Sequence, residues 1–384
     1  MTNLASTAPH IHGACDYDDL VDWGPQPDAL DGASHSTGRL LFKGPGNIPE
    51  TGIWDCTPGR WRLSVPRDEF CHFVKGRATY RSDDGKANVQ ANPIVVKGVL
   101  ITPTPGKRMI GLDAATGKER WSFSPNGGQP AFRGMVHWEG DDLNKERILF
   151  TAGETLYALQ PSDGKVLFAQ PAVDVRAAGA IFKNILVLAG FRKDVFGFDV
   201  RTGEKLWTFH TIPKKGEFGH DTWDKPENGA NCWGGMSLDE GRGIAYVSTG
   251  SPKPNFLGHT HRGINLFANC VIAIDALTGT HIWHFQEIRH DIWDLDIPCG
   301  PNLVTVTRNG RKVDAVAQVT KMGNTLVLDR LTGKPLFPFR LKRAPTSLTP
   351  GELTTAYQPS PELPEPFIRQ VFTLDDVPDR SPEA

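Results

Sequence analysis

Two residues in the last third of the chain have the types and spacing that proton and electron chemistry needs. Asp291 lies in the run RHDIWDLDIP, a carboxylate set among His290, Trp293 and Asp294. Lys321 follows the strand-like run AVAQVT and precedes a Gly-Asn turn, Gly323 and Asn324. The next run, TLVLD, is again strand-like, and LTGK (Leu331 to Lys334) closes it as a hairpin turn. A base and a cation on neighbouring strand ends can converge on one pocket. The base takes a proton from an alcohol, and the cation holds an oxygen that gains electron density. Taken without context, Asp291 and Asp294 equally describe a capped turn, and Lys321 a solvated turn lysine.

The elements that must position these residues are read from composition and repetition. A chain of 384 residues accommodates two or three domains or one large all-β assembly. Its 40 Gly and 30 Pro suit many turns between short strands rather than a helical protein. A formal net charge of −2 gives no basis for a nucleic-acid partner or an anionic membrane surface. Cys15, Cys56, Cys71, Cys232, Cys270 and Cys299 form no CxxC pair. They read as mostly buried thiols, neither a zinc site nor an evident disulfide framework. No run is long and apolar enough to span a membrane, and no basic region followed by an apolar core opens the chain. Taken literally, the chain stays in the cytoplasm.

Residues 1–40 read as an irregular N-terminal segment. Residues 41–85 hold short alternating runs, WRLSV, FCHFV and RATYR, separated by Pro, Gly and Asp turns, which is β-structure. From about residue 86 a unit recurs: DAATGKERWSF, PSDGKVLF, DVRTGEKLWTF, DALTGTHIWHF and DRLTGKPLF. Each copy follows an apolar strand. Gly supplies the positive φ of the turn, Asp and Thr bond back to the backbone, and the aromatic that follows is placed to pack between sheets. Five such hairpins predict radially stacked β-blades rather than a sandwich.

Two resemblances follow from these motifs. The run GIWDCTPGRWRL with DEFC after it resembles part of an ethanolamine-utilisation-type cupin. The usual His-x-His pair is absent, however, so Glu69 and His72 read as structural residues rather than metal ligands. The recurring strand–turn–Trp unit over 86–384 is similar to the tryptophan-docking motif of pyrroloquinoline-quinone (PQQ) dependent alcohol and glucose dehydrogenases, which are eight-bladed propellers. The expected fold is therefore all-β: about five blades of an incomplete quinoprotein propeller, preceded by a partial cupin-like segment, with the later blades missing.

That resemblance implies roles. Asp291 falls on the family's general base and Lys321 on the lysine that contacts the quinone oxygens. Trp233, in NCWGGMS, falls on one face of the quinone-stacking slot. Arg133, in AFRGMV, falls on an arginine that pairs with a cofactor carboxylate, and Asn265, in HRGINLFAN, on an amide ligand to Ca²⁺. The implied cofactors are PQQ and Ca²⁺, the implied donor an alcohol or sugar, the acceptor a quinone or cytochrome, and the implied compartment the periplasm. Two departures stand against this. Ile264 replaces the acid of the usual Gly-Asp-Asn. The run LAGFRKDVFGF is shorter than the family's acidic loop, and its Asp194 does not inherit the calcium role. A catalytically inactive propeller serving as a binding or interaction module, and a small-molecule-binding cupin, are the competing expectations.

Overall fold

The computed structural model describes residues 20–25, 29–31, 33–43, 50–57, 60–61, 92–104, 106–126, 128–130, 133–224, 228–371 and 373. The chain divides into two compact units, Met1–Thr79 and Tyr80–Ala384. The runs around Glu69, Cys71 and His72, and Cys15, lie outside the described residues.

In the first unit, β1 (Val21–Pro25), β3 (His35–Lys43) and β4 (Glu50–Cys56) form one antiparallel sheet in the order β1-β3-β4, while β2 (Ala29–Asp31) pairs with β5 (Arg60–Trp61). Three of these strands begin before residue 41, in the stretch expected to be irregular. Their order comes from pairing: Ser36 and Thr37 lie opposite Cys56 and Asp55, so partner strands distant in sequence satisfy a backbone that carries little apolar alternation of its own.

The second unit is a run of antiparallel blades. The first four are β6–β9 (Ile94–Val96, Val99–Pro103, Met109–Asp113, Glu119–Phe123), β10–β13 (Val136–Trp138, Arg147–Ala152, Thr155–Leu159, Val166–Pro171), β14–β17 (Ala180–Phe182, Ile185–Ala189, Val195–Asp199, Lys205–Phe209) and β18–β21 (Met236–Asp239, Ile244–Ser248, Cys270–Asp275, His281–Gln286). The fifth sheet has three strands, β22–β24 (Asn302–Arg308, Arg311–Val319, Thr325–Asp329), and β25 (Phe339–Arg343) pairs with β26 (Tyr357–Pro361). The first strands of the second to fifth sheets meet one another, β10 with β14, β14 with β18 and β18 with β22, which makes them the inner strands. The middle strands of the second to fourth blades are almost continuously buried, as in ILVLA and VFGFD, because both faces of those blades are covered by neighbours. Apolar clusters accordingly lie between consecutive blades.

The recurring turn locks each blade to the next. Asp275 Oδ1 accepts from Leu277 N, Thr278 N and Thr278 Oγ1 at 2.8–3.0 Å, and Asp113 and Asp329 repeat the arrangement. Gly279 follows at φ +73°, open only to a residue that tolerates the left-handed region. The aromatic of the preceding blade lies over this glycine. A Cβ on Gly279 would sit 2.5 Å from the Trp207 ring, and the same holds for Trp121 on Gly164, Phe168 on Gly203 and Trp283 on Gly333. Trp121 Nε1 donates to Pro161 O and Trp283 Nε1 to Arg330 O, both in the next blade's turn.

Antiparallel connectivity then sorts the loops. The Asp-x-x-Thr-Gly turns join third to fourth strands at one end of the blades. The connections between second and third strands, and from each fourth strand to the next blade, share the opposite end. Arg133, Trp233, Asn265, Asp291 and Lys321 all lie in connections of that opposite end.

Candidate functional site

Asp291 sits in the connection from β21 to β22 and has no exposed surface. Its Oδ2 accepts from Ser251 Oγ (2.5 Å), Asn269 Nδ2 (2.9 Å) and Leu295 N (2.8 Å), and Oδ1 accepts from Trp293 N (2.8 Å). Four donors fix the orientation of the carboxylate. Oδ1 has one partner and keeps lone-pair capacity for another proton. Asp291 is completely buried, so Oδ1 is closed to solvent in this structure.

The residues that tie Asp291 to the rest of the site are Ser251 and Asp296, which sequence reasoning missed. Ser251 N donates to Asp296 Oδ1 (2.5 Å), and Trp233 Nε1 donates to Asp296 Oδ2 (2.8 Å). The guanidinium of Arg133 lies 5.3 Å from the Trp233 ring centroid, a cation–π distance. A continuous set of contacts thus runs Asp291–Ser251–Asp296–Trp233–Arg133. Burial opposes ionisation of Asp296, but the Ser251 and Trp233 donors and the Lys253 charge hold its carboxyl below the usual value. The available signal was the third acid of DIWDLD, which sits five residues beyond Asp291 and so beyond the reach of a single turn.

Lys321, at the β23–β24 turn, donates from Nζ to Asp294 O (2.7 Å) and pairs with Asp294 Oδ2 at 3.3 Å. Asn255 bonds the other Asp294 oxygen. Lys321 therefore reaches the Asp291 loop, although its contact is with Asp294 rather than Asp291. The site also concentrates non-glycine residues in the left-handed region: Asn265, Phe267, Asn269, His290 and Asp294. Such strain, about 1–3 kcal/mol per residue, persists only where surrounding contacts over-determine it.

Asn265, expected to offer an amide oxygen to Ca²⁺, has its side-chain amide engaged within the protein. It is fully buried, its Oδ1 bonds His261 Nδ1 at 3.1 Å, and its Nδ2 donates to His261 O at 2.7 Å. Asp194 is likewise committed, its Oδ1 accepting from Thr211 N, and burial raises its pKa. Among the described residues no group of three or more His, Cys, Asp or Glu side chains is placed to hold a metal ion. The donor set does not fit Ca²⁺, which takes six to eight oxygens. The fit to a planar polyanionic quinone is better. Trp233 is half-buried, Arg133 is exposed, and no described carboxylate pairs with that guanidinium. Cys232 and Cys270 are buried free thiols, and burial pushes Cys232 up to about 12. Neither is a nucleophile.

An all-β chain whose blades are locked by Asp-x-x-Thr-Gly turns and docked aromatics, with an acid, a lysine and an indole at the opposite end, belongs to the class of β-propeller proteins. Comparison with known proteins narrows this. Residues 71–178 and 178–384 match the family described as glucose/ethanol/alcohol dehydrogenase, beta-propeller domain, of the PQQ type. The chain belongs to that PQQ-dependent quinoprotein family. Residues 44–93 match an EutQ-like cupin domain. The quinoprotein glucose dehydrogenase of Escherichia coli is 28% identical over 76% of this chain and 42% of its own length. The quinohemoprotein alcohol dehydrogenase ADH IIB of Pseudomonas putida is 27% identical over 67% of this chain and 42% of its own. The chain thus spans about two fifths of the length of these relatives. Among solved structures, the quinohemoprotein alcohol dehydrogenase of Comamonas testosteroni superposes with a TM-score of 0.58 at 23% identity, covering 71% of this chain and 46% of that one. It shares the fold.

Proposed function

We propose that the propeller, taken as residues 86–384, oxidises the CH–OH group of an alcohol or sugar with PQQ and passes the electrons to a quinone or cytochrome on the periplasmic side. The cupin-like segment, 41–85, stands apart from this chemistry. The observation that carries the reading is the contact chain from Asp291 through Ser251 and Asp296 to Trp233 and Arg133, with Lys321 held at the same end by Asp294. PQQ, when bound, supplies the electron-accepting quinone. Asp291 Oδ1 accepts the hydroxyl proton, and its four donors keep that oxygen oriented. Trp233 offers an indole face to a planar ring, and Arg133 a guanidinium fork to a carboxylate. Lys321 places positive charge where electron density accumulates.

The test is a titration of the full chain with PQQ, with and without Ca²⁺, followed by Trp fluorescence and then by dye-linked oxidation of alcohols and sugars. The reading expects saturable binding, and oxidation that Asp291→Asn abolishes. No quenching at high PQQ would leave the second reading, a propeller without catalysis that serves as a binding module. One observation favours that second reading: the Asn265 amide is bonded to His261, so its oxygen is not free for a calcium-assisted cofactor site.

A further inference from the structure

We infer that Glu287, at the end of β21, is a positioning residue that holds the Lys321 turn in register with Asp291, and that it does so as the neutral acid. The inference rests on the proposed function and names the device that keeps its two central groups together.

Glu287 touches both halves of the site. Its backbone N donates to Asn269 O at 2.9 Å, one step beyond the Cys270–Gln286 pair, so the two residues extend the β20–β21 ladder. Asn269 Nδ2 in turn donates to Asp291 Oδ2. On the other side, Glu287 Oε1 accepts from Thr320 Oγ1 (2.8 Å) and Asn324 Nδ2 (3.1 Å). These two residues bracket Lys321, and Thr320 N bonds Asn324 O across the turn. One carboxyl oxygen therefore grips both shoulders of the turn that carries the lysine, while its own backbone is fastened to the residue that grips Asp291.

The protonation state follows from the other oxygen. Glu287 is 1% exposed, and Oε2 is buried without a partner. An ionised carboxylate with one oxygen unsatisfied in the interior is costly, and a carboxylic acid removes most of that cost. Burial raises the Glu287 carboxyl to about 7 and the nearby Asp291 charge adds to it, against the Thr320 and Asn324 donors. The groups that face it from the packed elements are neutral Asn269 just before β20, Thr320 and Asn324 on the β23–β24 turn, and Asp291 on the loop that follows. Lys321 turns its charge to Asp294. Below neutrality the Glu287 carboxyl is uncharged. Above it, a negative charge appears in the interior beside Asp291 and the grip on the turn is perturbed.

Three proteins, wild type, Glu287→Gln and Glu287→Ala, are compared from about pH 5 to pH 9. If the neutral acid is the working form, wild-type PQQ affinity falls about tenfold per pH unit above about 7, because only the protonated fraction is competent. Glu287→Gln keeps the wild-type affinity at low pH and loses the step, since an amide presents the same acceptor oxygen and a neutral donor. Glu287→Ala binds about tenfold more weakly than wild type at low pH and shows no step, the loss of about one charge-independent anchor. An identical pH step in wild type and Glu287→Gln, or full affinity in a folded Glu287→Ala, overturns the inference. A wild type that binds no PQQ at any pH defeats the proposed function instead. The inference is then decided on the apoprotein. Amide exchange at Thr320 and Gly323 is expected to quicken in Glu287→Ala and not in Glu287→Gln, and unchanged exchange in both overturns it.

Discussion

Asp291 and Asp296 lie in the same short loop and have different partners. Asp291 keeps an acceptor site open at Oδ1, whereas Asp296 is filled by Ser251 and Trp233. Asp296→Ala strands the Trp233 N–H and a buried Ser251 amide, at about 1–3 kcal/mol for each unsatisfied group. The expected result is a lower thermal midpoint together with PQQ affinity weakened about tenfold, read in one fluorescence experiment. A second titration belongs to the histidine pair on β21. Burial lowers His284 to about 4, with the His281 charge adding to it. The unfolded chain, with an ordinary His near 6.5, therefore takes up a proton that the folded chain refuses. Stability is fully present above about 6.5 and falls as pH drops toward about 4. His284→Gln is expected to flatten that acid limb in a pH series of thermal midpoints. At this scale the sequence pointed to Asp291, Lys321, Trp233 and Arg133 through motif resemblance, and the structure places all four in connections at one end of the blades. It missed Ser251, Asp296 and Glu287, because each acts through contacts between loops 33 to 63 residues apart, which no local pattern encodes. Asn265 was legible as an asparagine in the right loop, but its hydrogen bonds to His261 were not.

The strand–turn–aromatic unit was legible because its chemistry is local: Asp and Thr build the turn within four residues, and Gly supplies the positive φ. What local pattern leaves out is the partner of each aromatic, which is the glycine of the following blade. That pairing makes a paired prediction. Gly117 (φ +70°) has nothing within 4 Å of a Cβ, whereas a Cβ on Gly279 (φ +73°) meets Trp207 at 2.5 Å. Gly117→Ala carries only the left-handed cost, about 1 kcal/mol. Gly279→Ala adds overpacking of about 1–3 kcal/mol and displaces the docked indole. Chemical denaturation of the two variants is expected to separate them by that margin, and equal losses would show that docking contributes nothing at this turn. The strands before residue 41 escaped notice for the complementary reason: β1 and β3 owe their form to pairing across the sheet rather than to apolar alternation.

For the whole chain, the two units make unfolding a two-part event. Met1–Thr79 and Tyr80–Ala384 have separate internal contacts, so a single two-state transition is not expected. Trp23, Trp54 and Trp61 lie in the first unit and the remaining Trp residues in the second, so fluorescence reports mainly on the propeller. A ligand that binds only the folded propeller stabilises that unit alone, by about 2.7 kcal/mol at one hundred times its Kd. PQQ should therefore raise the propeller transition by a few degrees and leave any transition of the first unit where it was. Blade-to-blade docking carries the effect beyond the site, because Gly164, Gly203, Gly279 and Gly333 are each covered by the aromatic of the blade before and the interfaces act as nearest-neighbour couplings. Calcium without PQQ should shift neither transition measurably, since the Asn265 amide is already bonded to His261 and the described side chains offer no metal cluster. A calcium-induced rise in the propeller transition would mean that the loop over 261–269 rearranges to release Asn265, and it would return the calcium-assisted form of the site to this chain. Equal shifts of both transitions with PQQ would mean instead that the two units are thermodynamically coupled.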